Sequence, residues 1–335
     1  MSATALRSTP DAATGARFYA GKRVVVTGAL GFLGTRIVRM LADFDCEVVR
    51  IARRAAPAQA GRARMIDIAG DVRDRATWTR ALDHVDIVFH LAAQTGAVEA
   101  EADRHADFES NVRPVLHLLD ACAGLALVPG LVFAGSVTQA RSASANGGAP
   151  DNPQSVYDEH KLAAERRLEE RSRDGAVRAA TLRLSNVYGP GPRSSAPVRG
   201  VLNEMIRKAL GGEPLTVYGS GAFVRDYLHV TDAARAFLAA GEFVDRLSEG
   251  HYVVGSGVGH TIEAAFNLVA DRVAARTGRA VRVVHADPPH PLSALQTRSF
   301  VADALRFRAA TGWRPEWTLA AGIDQTLEEM ACASS

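Results

Sequence analysis

The chain has 335 residues, of which 47% are apolar and 23% are charged, and 39 basic against 37 acidic side chains leave a formal charge of +2. A protein with so small a net charge lacks the strong positive electrostatic field that attracts the phosphate backbone of a nucleic acid. We therefore do not expect a nucleic-acid partner. The length favours one large α/β domain, or a nucleotide-binding domain with a smaller lobe, over several separate modules.

Cysteine content and hydropathy favour a cytoplasmic protein. Cys46, Cys122 and Cys332 are too few and too scattered for a disulfide framework or a zinc site. The sequence contains no run of about 18 apolar residues, and residues 1–20 lack the apolar segment of a secretion signal. We therefore expect a cytoplasmic location, no membrane contact, no metal and a mobile tail over residues 1–20.

From Lys22 onward, short β-branched runs alternate with segments of helical periodicity. The first strand is predicted over residues 23–27, and the helix after it over residues 35–43, where Ile37, Val38 and Leu41 have helical spacing. Further strands are predicted over residues 47–51, 63–69, 86–91, 131–134 and 179–184. This alternation predicts an α/β fold with a Rossmann-type, doubly wound parallel sheet, whose strands are covered by helices on both faces.

The alternation becomes less regular beyond Asn186, where a helix over residues 198–210 and a strand over residues 215–218 are predicted. We therefore divide the chain into a dinucleotide-binding domain, residues 21–185, and a smaller C-terminal lobe that binds the substrate, residues 186–335, with the chain crossing between them. The loops over residues 141–154 and 189–199 are rich in turn-forming residues. Both loops are predicted walls of a cleft.

The turn after the first predicted strand contains Gly28, Gly31 and Gly34, a variant of the dinucleotide-binding fingerprint. These glycines would permit a tight turn, a close approach of pyrophosphate and close packing of helix on sheet, with the helix N-terminus facing the anion. Because the turn joins a predicted strand to a predicted helix, we interpret it as a cofactor site and not as a purely structural turn. The predicted cofactor contacts here are the three glycines with Leu30, Phe32 and Leu33.

The end of the second predicted strand lacks the carboxylate that would bind the ribose hydroxyls of NAD. Ala52 stands at that position, and Arg53 and Arg54 follow it. A guanidinium can bind a 2′-phosphate through bidentate, charge-assisted hydrogen bonds and can stack on adenine. The sequence therefore favours NADP(H) as the cofactor, with NAD(H) as the alternative if the two arginines are only solvated surface residues.

Tyr157 and Lys161 are four residues apart on one face of a predicted helix, so their side chains can address one site. A lysine cation about 4 to 5 Å from a phenol would favour the phenolate and bring the phenol's pKa from about 10 toward neutrality. Such a tyrosine can exchange a proton with a carbinol oxygen while a hydride moves to or from nicotinamide. The spacing alone is a weak signal, since many helices contain it by chance.

The strand over residues 131–134 strengthens this prediction, because it delivers two hydroxyls, Ser136 and Thr138, to the carboxyl edge of the predicted sheet. Ligands of parallel sheets bind at that edge. Ser136 could hydrogen-bond the substrate oxygen beside Tyr157, and Thr138 points from the same segment toward the same cleft. The predicted catalytic residues are Ser136, Tyr157 and Lys161, with Thr138 as a lesser candidate that could equally be an ordinary hydroxyl at a strand end.

Together these segments resemble the extended short-chain dehydrogenase/reductase family. The resemblance rests on residues 27–34, Asp71-Val72, His90-Leu91-Ala92-Ala93, Asn111, Ser136 and the segment from Tyr157 to Lys161. It implies that Asp71 and Val72 contact the adenine and that Leu91, Ala92 and Ala93 form the loop on the nicotinamide side. It also implies that Asn111 is a helix break near the active site.

The C-terminal half resembles the family's substrate-binding segments, at residues 184–191, 215–221 and 225–227. This resemblance implies a nucleoside-diphosphate sugar as the substrate, and we expect the enzyme to be a homodimer. Arg225 could bind the diphosphate through charge-assisted hydrogen bonds and Asn186 could donate an amide to it, while Val217 and Tyr218 could flank the base. Without the resemblance, Arg225 would more often be a surface ion pair with Asp226.

Four reactions recur in the family, and the residues after Ser136 separate them. Dehydratases and decarboxylases of the family carry a carboxylate there, whereas this chain has Val137 and Thr138. Ketoreductases that use NADPH and 4-epimerases that keep NAD bound are the classes left. The arginines after Ala52, together with a closer resemblance to nucleoside-diphosphate-4-keto-6-deoxyhexose 4-ketoreductases, favour reduction. Epimerisation is the alternative, and a non-catalytic cofactor-binding regulator is a remote third.

Overall fold

The computed structural model describes residues 15, 17–139, 151–192, 200–248 and 250–332. Most of the tail predicted over residues 1–20 therefore lies outside the described residues, as do residues 141–150 and 193–199 of the two predicted cleft walls. The described strands are β1 Arg23–Thr27, β2 Glu47–Ala52, β3 Arg64–Ala69, β4 Ile87–His90, β5 Gly130–Ser136, β6 Arg178–Leu184, β7 Asn186–Tyr188, β8 Leu215–Tyr218, β9 Val224–His229, β10 Gly250–Val254, β11 Gly259–Thr261 and β12 Val283–Ala286.

Helices connect most of these strands. They are α1 Phe32–Ala42, α2 Arg75–Ala81, α3 Ala97–Ala102, α4 Arg104–Asn111, α5 Arg113–Cys122, α6 Val156–Arg173, α7 Val201–Leu210, α8 Val230–Glu242, α9 Val244–Leu247, α10 Ile262–Thr277, α11 Ala294–Thr297, α12 Leu305–Thr311 and α13 Leu319–Cys332. A single 3-10 turn, Val137–Gln139, continues β5. In the part of the chain that the structure describes, no helix is both long enough and apolar enough to cross a bilayer.

The large sheet consists, within the described residues, of seven strands in the order β3-β2-β1-β4-β5-β6-β10, and every neighbouring pair is parallel. The predicted doubly wound parallel sheet is thereby confirmed. Val24, Val25 and Val26 of β1 are all completely buried, although successive side chains of a strand point to opposite faces. Burial of both faces explains why these strands are continuous apolar runs.

Helices cover both faces of this sheet. On one face, Ile37 of α1 and Phe237 of α8 pack in a cluster with Val24 of β1. On the other face, Trp78 of α2 and Leu168 of α6 pack in a second cluster with Val25 of β1, whose side chain points away from that of Val24. The two clusters form the core of the large domain and leave the carboxyl ends of the strands uncovered for a ligand.

The remaining strands form a second lobe with its own core. Strands β11, β9 and β7 make a small mixed sheet, and β12 pairs with β8 in a two-stranded parallel sheet. Ile206 of α7, Phe266 of α10 and Ile323 of α13 pack against these strands. Strand β10 and helix α8, which follow residue 186 in the sequence, nevertheless pack in the large domain. The chain therefore returns to the large domain after entering the second lobe.

Candidate active site

The carboxyl ends of β1 and β4 are joined by one side chain, Thr27. Its Oγ1 accepts hydrogen bonds from the backbone N–H groups of Leu91 and Ala92, each at 3.0 Å, and lies 2.8 Å from Nδ1 of His90. A hydroxyl that accepts two N–H groups gives its own proton to the imidazole. Thr27 thus holds the segment from Leu91 to Ala93 beside the glycine-rich turn, and the two predicted cofactor segments lie together.

The backbone of the glycine-rich turn has no room for side chains. Gly28 has φ +62, and a Cβ there would come within 3.0 Å of the backbone nitrogen of Ala92. A Cβ at Gly34 would overlap the carbonyl oxygen of Gly28. These two positions require glycine, because the turn must pass close to both the β4 loop and its own helix.

Helix α1 starts at Phe32, three residues before the predicted start, because Gly31 in extended conformation already serves as its N-cap. Among the described residues, no side chain caps this end of the helix. Its first-turn N–H groups, including those of Phe32 and Leu33, have no intrahelical acceptor, and the helix dipole adds positive charge. The turn therefore fits a pyrophosphate, which would be bound by the backbone of residues 28–34.

Basic side chains surround the far end of this cofactor site. Arg53 and Arg54 directly follow β2 and are exposed. Nη2 of Arg73 lies 2.7 Å from Oδ2 of Asp71, and this hydrogen bond, aided by the charge of Arg53, holds the pKa of Asp71 below its usual value. Asp71 is thus already engaged by arginines at the position where the sequence predicts an adenine contact. Arg73 is a member of this basic group that sequence analysis did not single out.

Lys161 on α6 is almost completely buried. Its Nζ lies 3.9 Å from the centre of the Phe133 ring, and burial lowers its pKa to about 7, although the carboxylates of Glu165 and Asp107 act in the opposite direction. Tyr157, one helical turn before it, is partly exposed. The predicted proton donor is therefore accessible to solvent, whereas the lysine is not.

A buried cluster of polar side chains connects α6 to α4. Nδ1 of His160 lies 2.7 Å from Oδ2 of Asp107, and Asn111 donates hydrogen bonds of 2.9 Å to Oδ1 of Asp107 and to the carbonyl of Gln94. Helix α4 ends at Asn111, in agreement with the helix break implied there. These contacts fix α6 to α4 and to the loop after β4, and so determine where Lys161 lies.

Ser136 ends β5 and lies partly exposed at the same edge of the sheet. Its Oγ is 2.7 Å from Oγ1 of Thr138, which is in turn hydrogen-bonded to Oδ1 of Asp158. Asp158 is completely buried, and burial raises its pKa. Sequence analysis missed Asp158, because a carboxylate in the first turn of a helix is normally solvated. Its contact with Thr138, in the turn after β5 and 20 residues away in the sequence, is not visible in the sequence pattern.

The second lobe contributes two adjacent arginines. Arg225 on β9 donates from Nη2 to the carbonyl of Gln296 at 2.6 Å and is also hydrogen-bonded to the carbonyl of Arg298. Arg298 donates to the carbonyls of Val137 and Thr138, both at 3.3 Å, and its buried Nε has no hydrogen-bond partner among the residues described. Arg298 thus links the second lobe to the turn after Ser136. No motif in the sequence indicated it.

The other predicted substrate contacts lie near this pair, with one correction. Asn186 is exposed, and its Nδ2 donates to the backbone carbonyl of Asp226 at 3.1 Å. Val217 is completely buried in the core of the second lobe, whereas Tyr218 is 47% exposed. The prediction that Val217 flanks a base is therefore wrong in this structure, because successive side chains of β8 point to opposite faces and Tyr218 has the outward position.

Arg225 does not form the surface ion pair with Asp226 that the sequence offered as an alternative. Asp226 is completely buried and accepts hydrogen bonds from Ser185 Oγ, Ser256 Oγ and the backbone N–H groups of Ser256, Gly257 and Ala302. These bonds join β9 to the ends of β6 and β10. Asp226 therefore has a structural role, and the Arg225 guanidinium is held by backbone carbonyls.

A family model described as the NAD dependent epimerase/dehydratase family matches residues 24–255. The chain belongs to this family. The match covers the large sheet from β1 to β10, including the glycine-rich turn, Ser136, Tyr157 and Lys161. The chain is accordingly an enzyme of the extended short-chain dehydrogenase/reductase type with a nicotinamide cofactor.

Curated relatives of this family member cover nearly its whole length. A dTDP-4-dehydro-6-deoxy-D-allose reductase from Streptomyces bikiniensis is 28% identical over 92% of this chain and 96% of its own. A UDP-glucose 4-epimerase from Mycolicibacterium smegmatis is 30% identical over 91% of this chain and 97% of its own. The solved UDP-glucose 4-epimerase from Thermus thermophilus, in complex with NAD, superposes with a TM-score of 0.78 at 31% identity, covering 93% and 99% of the two chains.

One cluster in this family member has the composition of a metal site. Ligand atoms of Glu165, Glu169 and His251 lie within 4.8 Å of one another. Glu165 is at the same time paired with the buried guanidinium of Arg183, which also lies 2.8 Å from Asp151. The cluster is thus a charge-compensated network of α6, β6 and β10, in which the guanidinium of Arg183 already supplies a positive charge.

Proposed function

We propose that this enzyme is an NADPH-dependent reductase of a nucleoside-diphosphate 4-keto-6-deoxyhexose. The observation that carries the proposal is the set of side chains at one edge of the large sheet. Ser136, Tyr157 and Lys161 supply hydroxyl, phenol and ammonium groups. After Ser136 the chain has Val137 and Thr138, where dehydratases and decarboxylases of the family carry a carboxylate. A site of this kind can protonate a carbonyl oxygen but has no loop carboxylate to eliminate water.

In this reaction, Tyr157 gives its phenolic proton to the oxygen of the substrate's keto group. Ser136 hydrogen-bonds the same oxygen and holds it against Tyr157. Lys161 stabilises the phenolate that results, because an ammonium group one helical turn away favours the anion. The nicotinamide cofactor, when bound along residues 28–34, supplies the hydride for the carbonyl carbon.

The diphosphate of the nucleotide sugar would be bound by Arg225 and Arg298, with the amide of Asn186 beside them. Both guanidiniums are half-buried, and burial lowers the pKa of each without removing its charge. Two adjacent cations held by backbone carbonyls repel one another, and an anion of charge −2 relieves that repulsion. Tyr218, which is exposed at the end of β8, is placed to stack on the base.

A preference for NADPH over NADH is part of this proposal. Arg53 and Arg54 are exposed where β2 ends, and Arg73 adds a third guanidinium nearby. In this position a 2′-phosphate would gain charge-assisted hydrogen bonds. The reductase from Streptomyces bikiniensis supports reduction as the chemistry, because it is similar to this chain over nearly its full length.

Nucleotide-sugar 4-epimerisation is the second candidate, favoured by the similarity to the epimerases from Mycolicibacterium smegmatis and Thermus thermophilus. Both reactions would use the same tyrosine. They differ in the fate of the cofactor, since an epimerase regenerates it and a reductase consumes it. Native mass spectrometry and the ultraviolet spectrum of the purified protein would reveal tightly retained NAD, which supports epimerisation.

A coupled assay tests the main proposal. NADPH oxidation is followed at saturating cofactor with dTDP- and UDP-linked 4-keto-6-deoxyhexoses and with UDP-glucose. Stoichiometric NADPH consumption with a keto sugar is the expected result, and conversion of UDP-glucose without net cofactor consumption would establish the epimerase instead. A homodimeric state and a cytoplasmic location are proposed alongside, and light scattering of the purified protein measures the first.

A further inference from the structure

A chain of hydrogen-bonded side chains leads from Ser136 into the protein. Ser136 Oγ lies 2.7 Å from Thr138 Oγ1, which is hydrogen-bonded to Oδ1 of Asp158. Ser136 and Thr138 belong to the end of β5 and the turn after it, and Asp158 belongs to the first turn of α6, next to Tyr157. These hydrogen bonds therefore connect Ser136, at the exposed edge of the site, to the carboxyl group of Asp158, which has no solvent exposure.

The number of protons restricts how this chain can be arranged. The Thr138 hydroxyl has two oxygen neighbours and a single proton, so it donates to one of them and accepts from the other. An ionised carboxylate only accepts. With Asp158 ionised, Thr138 must donate to Asp158, and Ser136 must then donate to Thr138. In that state the Ser136 proton points into the protein and away from a substrate.

Oδ2 of Asp158 accepts from the N–H of Gln154, so a proton on the carboxyl group belongs on Oδ1, and there it reverses the direction of every bond in the hydrogen-bonded series. The carboxyl O–H donates to Thr138, Thr138 donates to Ser136, and the proton of Ser136 is released toward the site. A keto oxygen has lone pairs and no proton, so only this second arrangement lets Ser136 donate to it. The first arrangement suits a substrate hydroxyl, whose proton Ser136 could accept.

We propose that Asp158 is a positioning residue whose protonation state decides whether Ser136 donates a hydrogen bond to the reacting oxygen, so that the protonated form is the one that supports ketone reduction. This inference rests on the proposed function, in which Ser136 contacts that oxygen. It assigns to Thr138 the role of transmitting the state of Asp158, and it explains why a buried carboxyl group stands beside the catalytic tyrosine.

The surroundings of Asp158 are consistent with a group that can hold a proton. Burial raises its pKa, while hydrogen bonds from Thr138, Ser155 and the N–H of Gln154 lower it, as does the charge of Arg298. These are the groups that face it from the turn after β5, from the loop before α6 and from the segment after α11. On its own helix, the neighbouring titratable groups are Tyr157, Glu159, which is paired with Arg104, His160, which is paired with Asp107, and Lys161.

Substitution by asparagine tests the proposal directly. Oδ2 of Asp158 accepts from the N–H of Gln154 at 3.4 Å, so the asparagine oxygen takes that position and its NH2 group faces Thr138. Asp158→Asn should thus fix the chain in the donating direction. We expect it to keep NADPH-dependent reduction of a dTDP-4-keto-6-deoxyhexose within about threefold of wild type at low pH, and to lose the decline in rate that Asp158 ionisation causes as pH rises.

Variants of Thr138 and Glu159 test whether Asp158 acts on Ser136 through Thr138 or only stabilises the local structure. Thr138→Val interrupts the chain and should lower kcat about tenfold at low pH, equivalent to about 1.4 kcal/mol, whereas Thr138→Ser retains the hydroxyl and should restore kcat. Glu159→Gln, which removes a neighbouring exposed carboxylate on the same helix, is the matched control and should leave the pH profile unchanged. Thermal unfolding and NADPH affinity of each variant verify that the fold is intact.

Infrared spectroscopy of the protein without substrate gives a second, independent measurement. A protonated carboxyl C=O band that is lost in Asp158→Asn reports the titration of Asp158, and Thr138→Val should shift the midpoint of that titration upward because it removes a hydrogen bond to the carboxylate. Identical pH profiles for wild type and Asp158→Asn, or a midpoint that Thr138→Val does not move, would overturn the inference. If no keto sugar is reduced, the proposed function fails. The midpoint of the infrared titration still shows whether Asp158 and Thr138 are coupled by a hydrogen bond.

Discussion

The ammonium group of Lys161 lies over the ring of Phe133 in a region with almost no solvent exposure. Because its pKa is lowered to about 7, its charge is gained or lost near neutral pH. In the proposed reaction, the stabilisation of the Tyr157 phenolate by Lys161 should therefore weaken as pH rises above about 7. The buried Asp107 and Glu165 moderate this effect, since both favour the charged lysine.

At the scale of single residues, we expect Tyr157→Phe to abolish turnover and leave NADPH binding nearly intact. The substitution removes the proton donor and little contact area. The variant is compared with wild type in steady-state assays and in cofactor titrations by fluorescence. A residual rate above about a tenth of wild type, a loss under 1.4 kcal/mol, would show that another group donates the proton.

Replacement of both Arg53 and Arg54 by alanine should reverse the cofactor preference. Charge-assisted hydrogen bonds contribute about 1.5 to 3 kcal/mol, so wild type should prefer NADPH by about 10- to 150-fold, mostly in affinity. Isothermal titration with NADPH and NADH measures the preference, and Arg167→Ala on the exposed face of α6 is the control for loss of a surface arginine. Equal affinities of wild type for the two cofactors would refute the role of these arginines.

Most residues of the candidate site could be predicted from the sequence because they belong to continuous local patterns. The glycine turn, the Tyr157–Lys161 pair and the hydroxyl at the end of β5 are each visible within a few residues of sequence. Asp158 and Arg298 were not, since their roles depend on contacts between segments far apart in the chain. The predicted role of Val217 was wrong for a different reason. Strand alternation shows which side chains share a face of the strand, but it does not show which face points to solvent.

At the scale of elements, β9 and the segment around Arg298 together make the proposed diphosphate site. Arg225→Ala should weaken binding of dTDP or UDP by at least tenfold and leave NADPH affinity unchanged, because its guanidinium lies in the second lobe. Arg225 also holds the carbonyls of Gln296 and Arg298, so Arg225→Lys, which retains the charge, is measured alongside.

Isothermal titration with dTDP and UDP in the presence of NADPH compares these Arg225 variants with Arg298→Ala. We expect both alanine variants to lose affinity, and the lysine variant to keep more of it than alanine does. Nucleotide affinity that is unchanged in Arg225→Ala would remove this residue from the site and reopen the question of the substrate class.

Periodicity predicts the strands of the large sheet well as far as β6. The predicted first strand coincides with β1, and the others agree with the structure to within a few residues, because burial on both faces produces continuous apolar runs. Strand β10 was not predicted. Nothing in its five residues shows that it pairs with β6, since its partner is set by the path of the chain through the second lobe.

At the scale of the whole molecule, Lys161 should make the stability of the cofactor-free protein depend on pH. Its folded-state pKa of about 7 lies below the ordinary 10.5, so the unfolded chain binds more protons between these values and stability increases with pH. The free energy of unfolding should therefore rise from pH 7 to pH 9 by up to about 1.4 kcal/mol per unit through this group.

Urea unfolding of wild type and Lys161→Met at several pH values between 7 and 9 measures this contribution. The difference between the two proteins isolates Lys161, because other titrating groups are common to both. We expect the methionine variant to be the more stable protein at pH 7 and its advantage to shrink as pH rises. Parallel stability curves for the two proteins would show that Lys161 keeps its charge in the fold.

The pairing of β10 with β6 determines the order in which the molecule can assemble. Strands β7, β8 and β9 are synthesised between these two partners, so β6 remains an unpaired edge until all three have left the ribosome. An open edge can recruit other chains, and contacts between distant segments form slowly. The large domain consequently cannot complete its sheet before these three strands of the second lobe have been made, and folding of the two lobes is coupled from that point.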